Sequence, residues 1–290
     1  MLAALRILWQ SFAYRVRMRE ANNLIVSVSM MLAFGLPGCD LVYRTVYALL
    51  LNVYVYLIND YCDIKVDLAS EKKDRAKVRY MAEHKGAALG ALLGLGALLL
   101  GAALLHTWLL QAPRVIVGYR CPPPPPGFAR WVLPTAFVAN TVVIGAYSAW
   151  LKRVPVVDLV LMAVAGSTMT IVGLPGRPLG WLLIALLGLL SAAYETIQVV
   201  RDEPSDRAHG VRTTAVLLGA RRAAWIFRGI MVGSAVFGFL AIGSPVTFGL
   251  LLAAPLPLSP ERAARTWDMV RIIGGLVWLG LLLQIYLGKL

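Results

Sequence analysis

The chain has 290 residues, of which 59% are hydrophobic and 15% charged, and its mean hydropathy is +0.72. Soluble domains carry about 25% charged residues, so this composition excludes an ordinary soluble enzyme and points to an integral membrane bundle of helices. The net charge of +13 arises from 28 Lys and Arg against 15 Asp and Glu; the positive-inside bias of membrane proteins accounts for it more simply than a nucleic-acid partner does.

Residues 1–21 form a basic amphipathic N-terminal segment. Leu2, Leu5, Leu8, Trp9 and Phe12 alternate with Arg6, Arg15, Arg17 and Arg19, a pattern that predicts a helix lying on the membrane surface rather than a signal peptide. Residues 22–290 read as a single transmembrane domain. Apolar segments lie near 22–38, 42–58, 86–108, 130–150, 154–173, 178–199, 223–242, 245–256 and 269–288. At ~20 residues per span the expectation is an all-α, multi-span bundle of about nine helices. The loops at 59–85, 151–154, 200–222 and 257–268 carry most of the Lys and Arg, whereas the opposite set holds little beyond Arg44, Arg114, Arg120 and Arg177. The basic set is therefore expected in the cytoplasm, with the N-terminus. On the other side Pro122–Pro126 make a stiff connector. Three cysteines imply no disulfide framework. The glycines of 86–101 predict close helix packing.

Two acidic clusters interrupt this pattern. Asn59, Asp60, Asp63 and Asp67 close the second apolar segment; Asp202, Glu203 and Asp206 close the sixth. Three- and four-residue spacing puts Asn59, Asp63 and Asp67 on one helical face, with Asp60 off it. Each cluster opens a basic loop, so an internal duplication setting the two face to face is plausible from the pattern. Carboxylates at a membrane boundary call for a charge of opposite sign. Oxygen ligands suit Mg2+, which binds through a few carboxylates plus substrate phosphates, while Lys and Arg take the remaining phosphate oxygens. Such a site promotes loss of diphosphate. Transporters also use membrane carboxylates, usually in mid-span rather than at span ends. Asp40 and Asp158 are isolated and read as structural, Asp158 pairing with nearby Arg153. His84 and His209 read as solvated loop residues.

These residues resemble the UbiA superfamily of intramembrane prenyltransferases. Asn59-Asp60-x-x-Asp63-x-x-x-Asp67 matches its first Asp-rich motif. Tyr194-Glu195-Thr196 through Asp202-x-x-x-Asp206-x-x-x-Gly210-x-x-Thr213 resembles the second, and Tyr147-Ser148-x-x-Leu151-Lys152-Arg153 the segment after the fourth span. Arg19-Glu20-Ala21-Asn22 resembles the entry to the first span, with Glu20 in place of proline. The resemblance implies nine helices around a central cavity, and Asn59, Asp63, Asp67, Asp202 and Asp206 as ligands of Mg2+ and diphosphate. The four aspartates then carry the catalysis. It also implies that Lys65, Lys73, Arg75, Tyr147, Lys152 and Arg207 hold the diphosphate or the acceptor, and that Arg19 faces the acceptor. Glu195 stands where many members have Asp. Arg75-Ala76-Lys77-Val78-Arg79-Tyr80 lacks the prolines and glycine usual after the first motif.

The implied activity is Mg2+-dependent transfer of a prenyl group from an isoprenyl diphosphate to an acceptor, foremost an aromatic quinone-type precursor. The alternatives are a lipid-phosphate, phosphoribosyl or tetrapyrrole acceptor, a terpene cyclase that uses none, or a non-enzymatic transporter. The implied location is the plasma membrane of a prokaryote, with the active site facing the cytoplasm; the implied partners are donor, acceptor and lipids.

Overall fold

A backbone that crosses hydrocarbon must satisfy its own peptide groups, and a helix does so within one segment. The computed structural model describes residues 2–17, 22–69, 74–109, 114–116, 119–121, 130–208 and 210–290, of which 66, 69, 109, 114–116 and 119–121 are described by backbone alone. Its helices are α1 (Leu2–Arg17), α2 (Asn22–Ala33), α3 (Gly38–Ala69), α4 (Arg75–Glu83), α5 (Lys85–Leu109), α6 (Val132–Ala149), α7 (Val157–Thr170), α8 (Pro178–Ala208), α9 (Thr214–Leu218), α10 (Ala220–Phe237) and α11 (Ala263–Tyr286).

Each of the nine expected apolar segments coincides with a helical element. Six, within α3, α5, α6, α8, α10 and α11, are long and apolar enough to cross a membrane, and α2 and Val157–Gly173 are apolar but shorter. The eighth segment is a nine-residue 3-10 helix, Pro245–Ala253. At about 2 Å per residue it falls well short of the roughly 30 Å hydrocarbon core. The chain is thus a multi-pass helical membrane protein.

Some boundaries differ from expectation. The region 59–85 is not one loop: α3 carries the first acidic motif as unbroken helix to Ala69, and α4 follows after Asp74. Likewise α8 continues through Pro204 to Ala208; a proline so near the end removes one backbone bond without ending the helix. A short antiparallel ribbon, β1 (Arg114–Ile116) with β2 (Tyr119–Cys121), pairs Val115 with Arg120. Cys39 is disulfide-bonded, contrary to the sequence reading, and Cys62 is exposed and takes part in no disulfide. The proline run lies outside the described residues.

The chain forms two compact units. The first comprises 1–28, 36–149 and 169–176; the second comprises 29–35, 150–168 and 177–290. In the first, α3, α5 and α6 pack on one another and α1 lies against α3 and α5. Ile7 of α1 is 1% exposed in a cluster with Leu57, Ile64, Met81, Ala88 and Ala91. The N-terminal segment is therefore docked on the bundle as well as amphipathic, with Leu2, Leu5 and Trp9 still exposed. Asp40 is structural, as its isolation suggests. It meets His106 Nε2 at 3.2 Å and Arg44 at 3.9 Å, and Arg44 donates to the Leu174 carbonyl at 2.9 Å.

In the second unit α8 packs against α9, α10 and α11, and the 3-10 helix against α10 and α11. Close packing through small residues occurs here rather than at the expected glycines. A side chain at Gly166 would strike Ser191, and one at Gly188 would strike Ser167 and the Ala163 carbonyl. By contrast Gly86, Gly90, Gly94 and Gly101 have open space before them, and only Gly96 of that run meets a neighbour, Tyr54.

Candidate active site

The first acidic motif occupies the last turns of α3. Asp60, Asp63 and Asp67 are 7%, 8% and 7% exposed, and buried carboxylates need partners. Asp60 has two cations. Arg15 Nη2 of α1 donates to Oδ1 at 2.7 Å, and Lys77 Nζ of α4 donates to Oδ2 at 2.5 Å. The Ser11 hydroxyl adds a longer bond, 3.5 Å to Oδ2. Aromatic faces complete the enclosure: the Arg15 guanidinium lies 4.1 Å from the Tyr56 ring centroid, and Lys77 Nζ lies 4.7 Å from that of Tyr14. Cations over aromatic rings gain from the ring quadrupole, more so when desolvated.

Lys77 arrives there because α4 is a helix. Asp74 accepts the Lys77 N–H at 3.1 Å as N-cap. Lys77, Val78 and Met81 then form its buried face. The stretch lacking the family's prolines and glycine is thus an amphipathic helix whose lysine neutralises Asp60. Tyr14, Asp60, Asp67, Asp74, Lys77, Val78 and Met81 line a cavity of about 10 Å³, room for roughly one water. Asp60 and Asp67 line it together because seven residues make nearly two helical turns. Asp60 is therefore closer to Asp67 than the sequence reading, which set it off the shared face, allows.

Asn59 Oδ1 accepts the Ser148 hydroxyl at 3.1 Å, tying α3 to α6 beside Tyr147, which is half-buried. Lys65 and Arg75 are exposed, and neither lines the cavity. Arg19, Lys73 and His209 lie outside the described residues.

The second motif sits on the last turns of α8. Glu195, Asp202 and Asp206 share a face, at i, i+7 and i+11. Glu195 is 4% exposed. Arg201 grips Asp202 through two bonds of 3.0 and 2.8 Å. Arg207 donates to Glu203 at 2.8 and 2.5 Å across one turn. These pairs are local and partly solvated, with Arg201 and Arg207 side chains 46% and 60% exposed. Asp206 Oδ2 accepts the Thr213 hydroxyl at 3.4 Å.

Lys152 lies in the 3-10 turn Leu151–Arg153 and is half-buried. The turn is followed by Val156 at φ 71°, a left-handed β-branched residue, a conformation that costs about 1–3 kcal/mol. Asp158 does not take the expected partner Arg153; it holds Thr214, accepting its N–H at 2.9 Å and also its hydroxyl. Sequence reasoning overlooked Arg15, Lys77 and Thr214. The one signal available was Asp74, an N-cap residue three positions before Lys77 and followed by the apolar pair Val78 and Met81.

The donor set is all oxygen, which suits a hard cation such as Mg2+. Among the described residues no three Asp, Glu, His or Cys side chains make a ready cage for a metal. Mg2+ requires none, since it binds through one or two carboxylates together with substrate phosphates and water. The residues present fit that ion.

A model of the UbiA prenyltransferase family matches residues 127–272, 146 of the 290. A lycopene elongase/hydratase of Halobacterium salinarum is 31% identical over 207 residues, covering 70% of this chain and 66% of the relative; the match thus spans a little under two thirds of that relative's length. The fold resembles a solved digeranylgeranylglyceryl phosphate synthase, with a TM-score of 0.69 at 16% identity over 99% of both chains. A UbiA homolog from Archaeoglobus fulgidus bound to GPP and Mg2+ gives 0.65 at 15% identity, covering 98% of this chain and 99% of that one.

Proposed function

Because this chain belongs to the UbiA prenyltransferase family, we propose that it transfers a prenyl group, with Mg2+, from an isoprenyl diphosphate to an electron-rich carbon of an acceptor in the membrane. The observation that carries this reading is the pair of helix ends, α3 and α8, that present hard oxygen donors, the first matching and the second resembling an Asp-rich motif of the family.

In this reading Asn59, Asp63, Asp67, Asp202 and Asp206 hold Mg2+ and the donor diphosphate. Mg2+ supplies neutralisation of the charge that builds on the leaving oxygens. Lys152, with Lys65, Lys73, Arg75 and Arg207, binds the remaining phosphate oxygens as charge-assisted donors. The allylic carbon–oxygen bond breaks, the bonding pair leaves with diphosphate, and the prenyl cation is attacked by the acceptor's carbon, which then loses a proton. Tyr147 and Arg19 orient the acceptor. The carboxylates themselves are the available proton acceptors. The apolar spans shelter the cation from water. The excess of Lys and Arg in the loops beside these helix ends supports a cytoplasmic orientation for them, in the plasma membrane of a prokaryote.

For the acceptor, the aromatic quinone-type precursor expected from the sequence is the first reading. A polyene acceptor is the second, favoured by the relative named lycopene elongase/hydratase. Both present an electron-rich carbon and need no strong base to create the nucleophile. The test is to incubate purified protein with labelled geranyl, farnesyl and geranylgeranyl diphosphates, with and without Mg2+, against aromatic, polyene and lipid-phosphate acceptors. A Mg2+-dependent prenylated aromatic or polyene supports the reading and selects the acceptor. A cyclised hydrocarbon alone, or no diphosphate release from any donor, overturns it.

A further inference from the structure

Asp158 is a fully buried acid, 0% exposed, with no part in the chemistry above. Its carboxylate accepts three hydrogens: the Thr214 N–H and the Leu159 N–H, each at 2.9 Å, and the Thr214 hydroxyl. A carboxylate only accepts, so the single hydroxyl proton of Thr214 is committed to Asp158. Thr214 Oγ1 is then an acceptor, and it takes the Val156 N–H at 2.6 Å. Val156 is the residue at φ 71°. Its side chain is 52% exposed, so packing does little to hold it there; the start of α7 holds its carbonyl, through the Val160 N–H at 3.1 Å, and the bond to Thr214 holds its N–H.

The segments at the two ends of this relay both carry proposed diphosphate ligands. Upstream of Val156, the Val154 N–H closes the turn Leu151–Arg153 onto the Leu151 carbonyl at 3.1 Å, and that turn bears Lys152. Beside Thr214, the Thr213 hydroxyl reaches Asp206. We propose that Asp158 is a positioning residue: through Thr214 it holds the strained Val156 turn, and so sets Lys152 and Asp206 in register. The inference rests on the functional reading above, which makes Lys152 and Asp206 part of the site. A purely structural Asp158 would instead stabilise the starts of α7 and α9 and leave the kinetics of folded enzyme alone.

The test compares Asp158→Asn, Val156→Gly, their double variant and Thr214→Val with wild type. Asparagine keeps the shape of aspartate but offers one acceptor oxygen where the Thr214 N–H and hydroxyl require two. Asp158→Asn should speed amide exchange both in residues 150–157 and around Asp206, and raise the donor KM by roughly 10-fold with kcat changed far less. Glycine adopts φ 71° without being held, so Val156→Gly alone should leave KM within about 2-fold of wild type, and in the double variant it should reverse most of the rise in KM. Thr214→Val, which deletes only the relaying hydroxyl, should show the same signature more weakly; it decides the matter if Asp158→Asn fails to fold. Faster exchange confined to α7 and α9 with an unchanged KM, or no rescue by Val156→Gly, overturns the proposal. Should wild type itself release no diphosphate, the functional reading fails separately, and the exchange pattern alone decides whether Asp158 couples the two segments.

Discussion

α3 and α8 each end an apolar span in acids set one or two helical turns apart, and their surroundings differ. Asp60, Asp63 and Asp67 are each more than nine-tenths buried. Asp60 is neutralised from 45 and 17 residues away, by Arg15 and Lys77. Asp202 and Glu203 instead pair with Arg201 and Arg207 of their own helix, at side chains that water reaches. A buried charge must be matched by the fold, and losing its partner is costly; an exposed pair contributes little and exchanges partners readily. The end of α3 is thus partly scaffold, with one acid committed to holding α1 and α4. The end of α8 presents acids whose local pairs a charged ligand can displace.

The largest effect that sharpens this contrast is on stability. Asp60→Ala leaves Arg15 and Lys77 facing each other in a buried site and should cost about 3–5 kcal/mol, read as a lowered thermal midpoint in detergent. Replacing Asp60, Arg15 and Lys77 together with apolar residues of similar volume should recover most of it. A singly substituted Asp60→Ala protein as stable as wild type would break the contrast. Next comes Lys152→Ala, expected to raise the donor KM about 10-fold, roughly 1.4 kcal/mol, with a small change in kcat and none in the thermal midpoint; an unaltered KM removes Lys152 from the site. The smallest effect belongs to the exposed pairs. Arg201→Ala or Arg207→Ala should shift stability by less than about 1 kcal/mol, and less again in high salt. A larger, salt-independent loss would show that these pairs are as built-in as Asp60.

Hydropathy made the spans legible, because about twenty apolar residues in a row have few other uses. The acidic motifs were legible because carboxylates at helical spacing beside a membrane are rare. The sequence did not reveal which acid is spent on structure. Nothing local pairs Arg15 with Asp60, which meet only because Ile7 docks α1 against Leu57 and Met81. The charged run 75–83 reads as a basic loop until burial of Lys77, Val78 and Met81 shows its one apolar face. Asp158 illustrates the same limit: Arg153 is its obvious neighbour in sequence, yet its partner is Thr214, 56 residues on. All nine expected segments are helical, but α2, Val157–Gly173 and the proline-started 3-10 helix near 245–256 read by composition like spans and are shorter than one.

The central claim is that the acids at both helix ends act in one Mg2+-dependent ionisation. Its most direct test is diphosphate release from geranylgeranyl diphosphate by purified wild type, Asp63→Ala and Asp202→Ala, with and without Mg2+ and with thermal midpoints measured alongside. The account predicts Mg2+-dependent release by wild type and a loss of roughly 100-fold or more in each variant, both still folded. Release at the wild-type rate by either folded variant would contradict it.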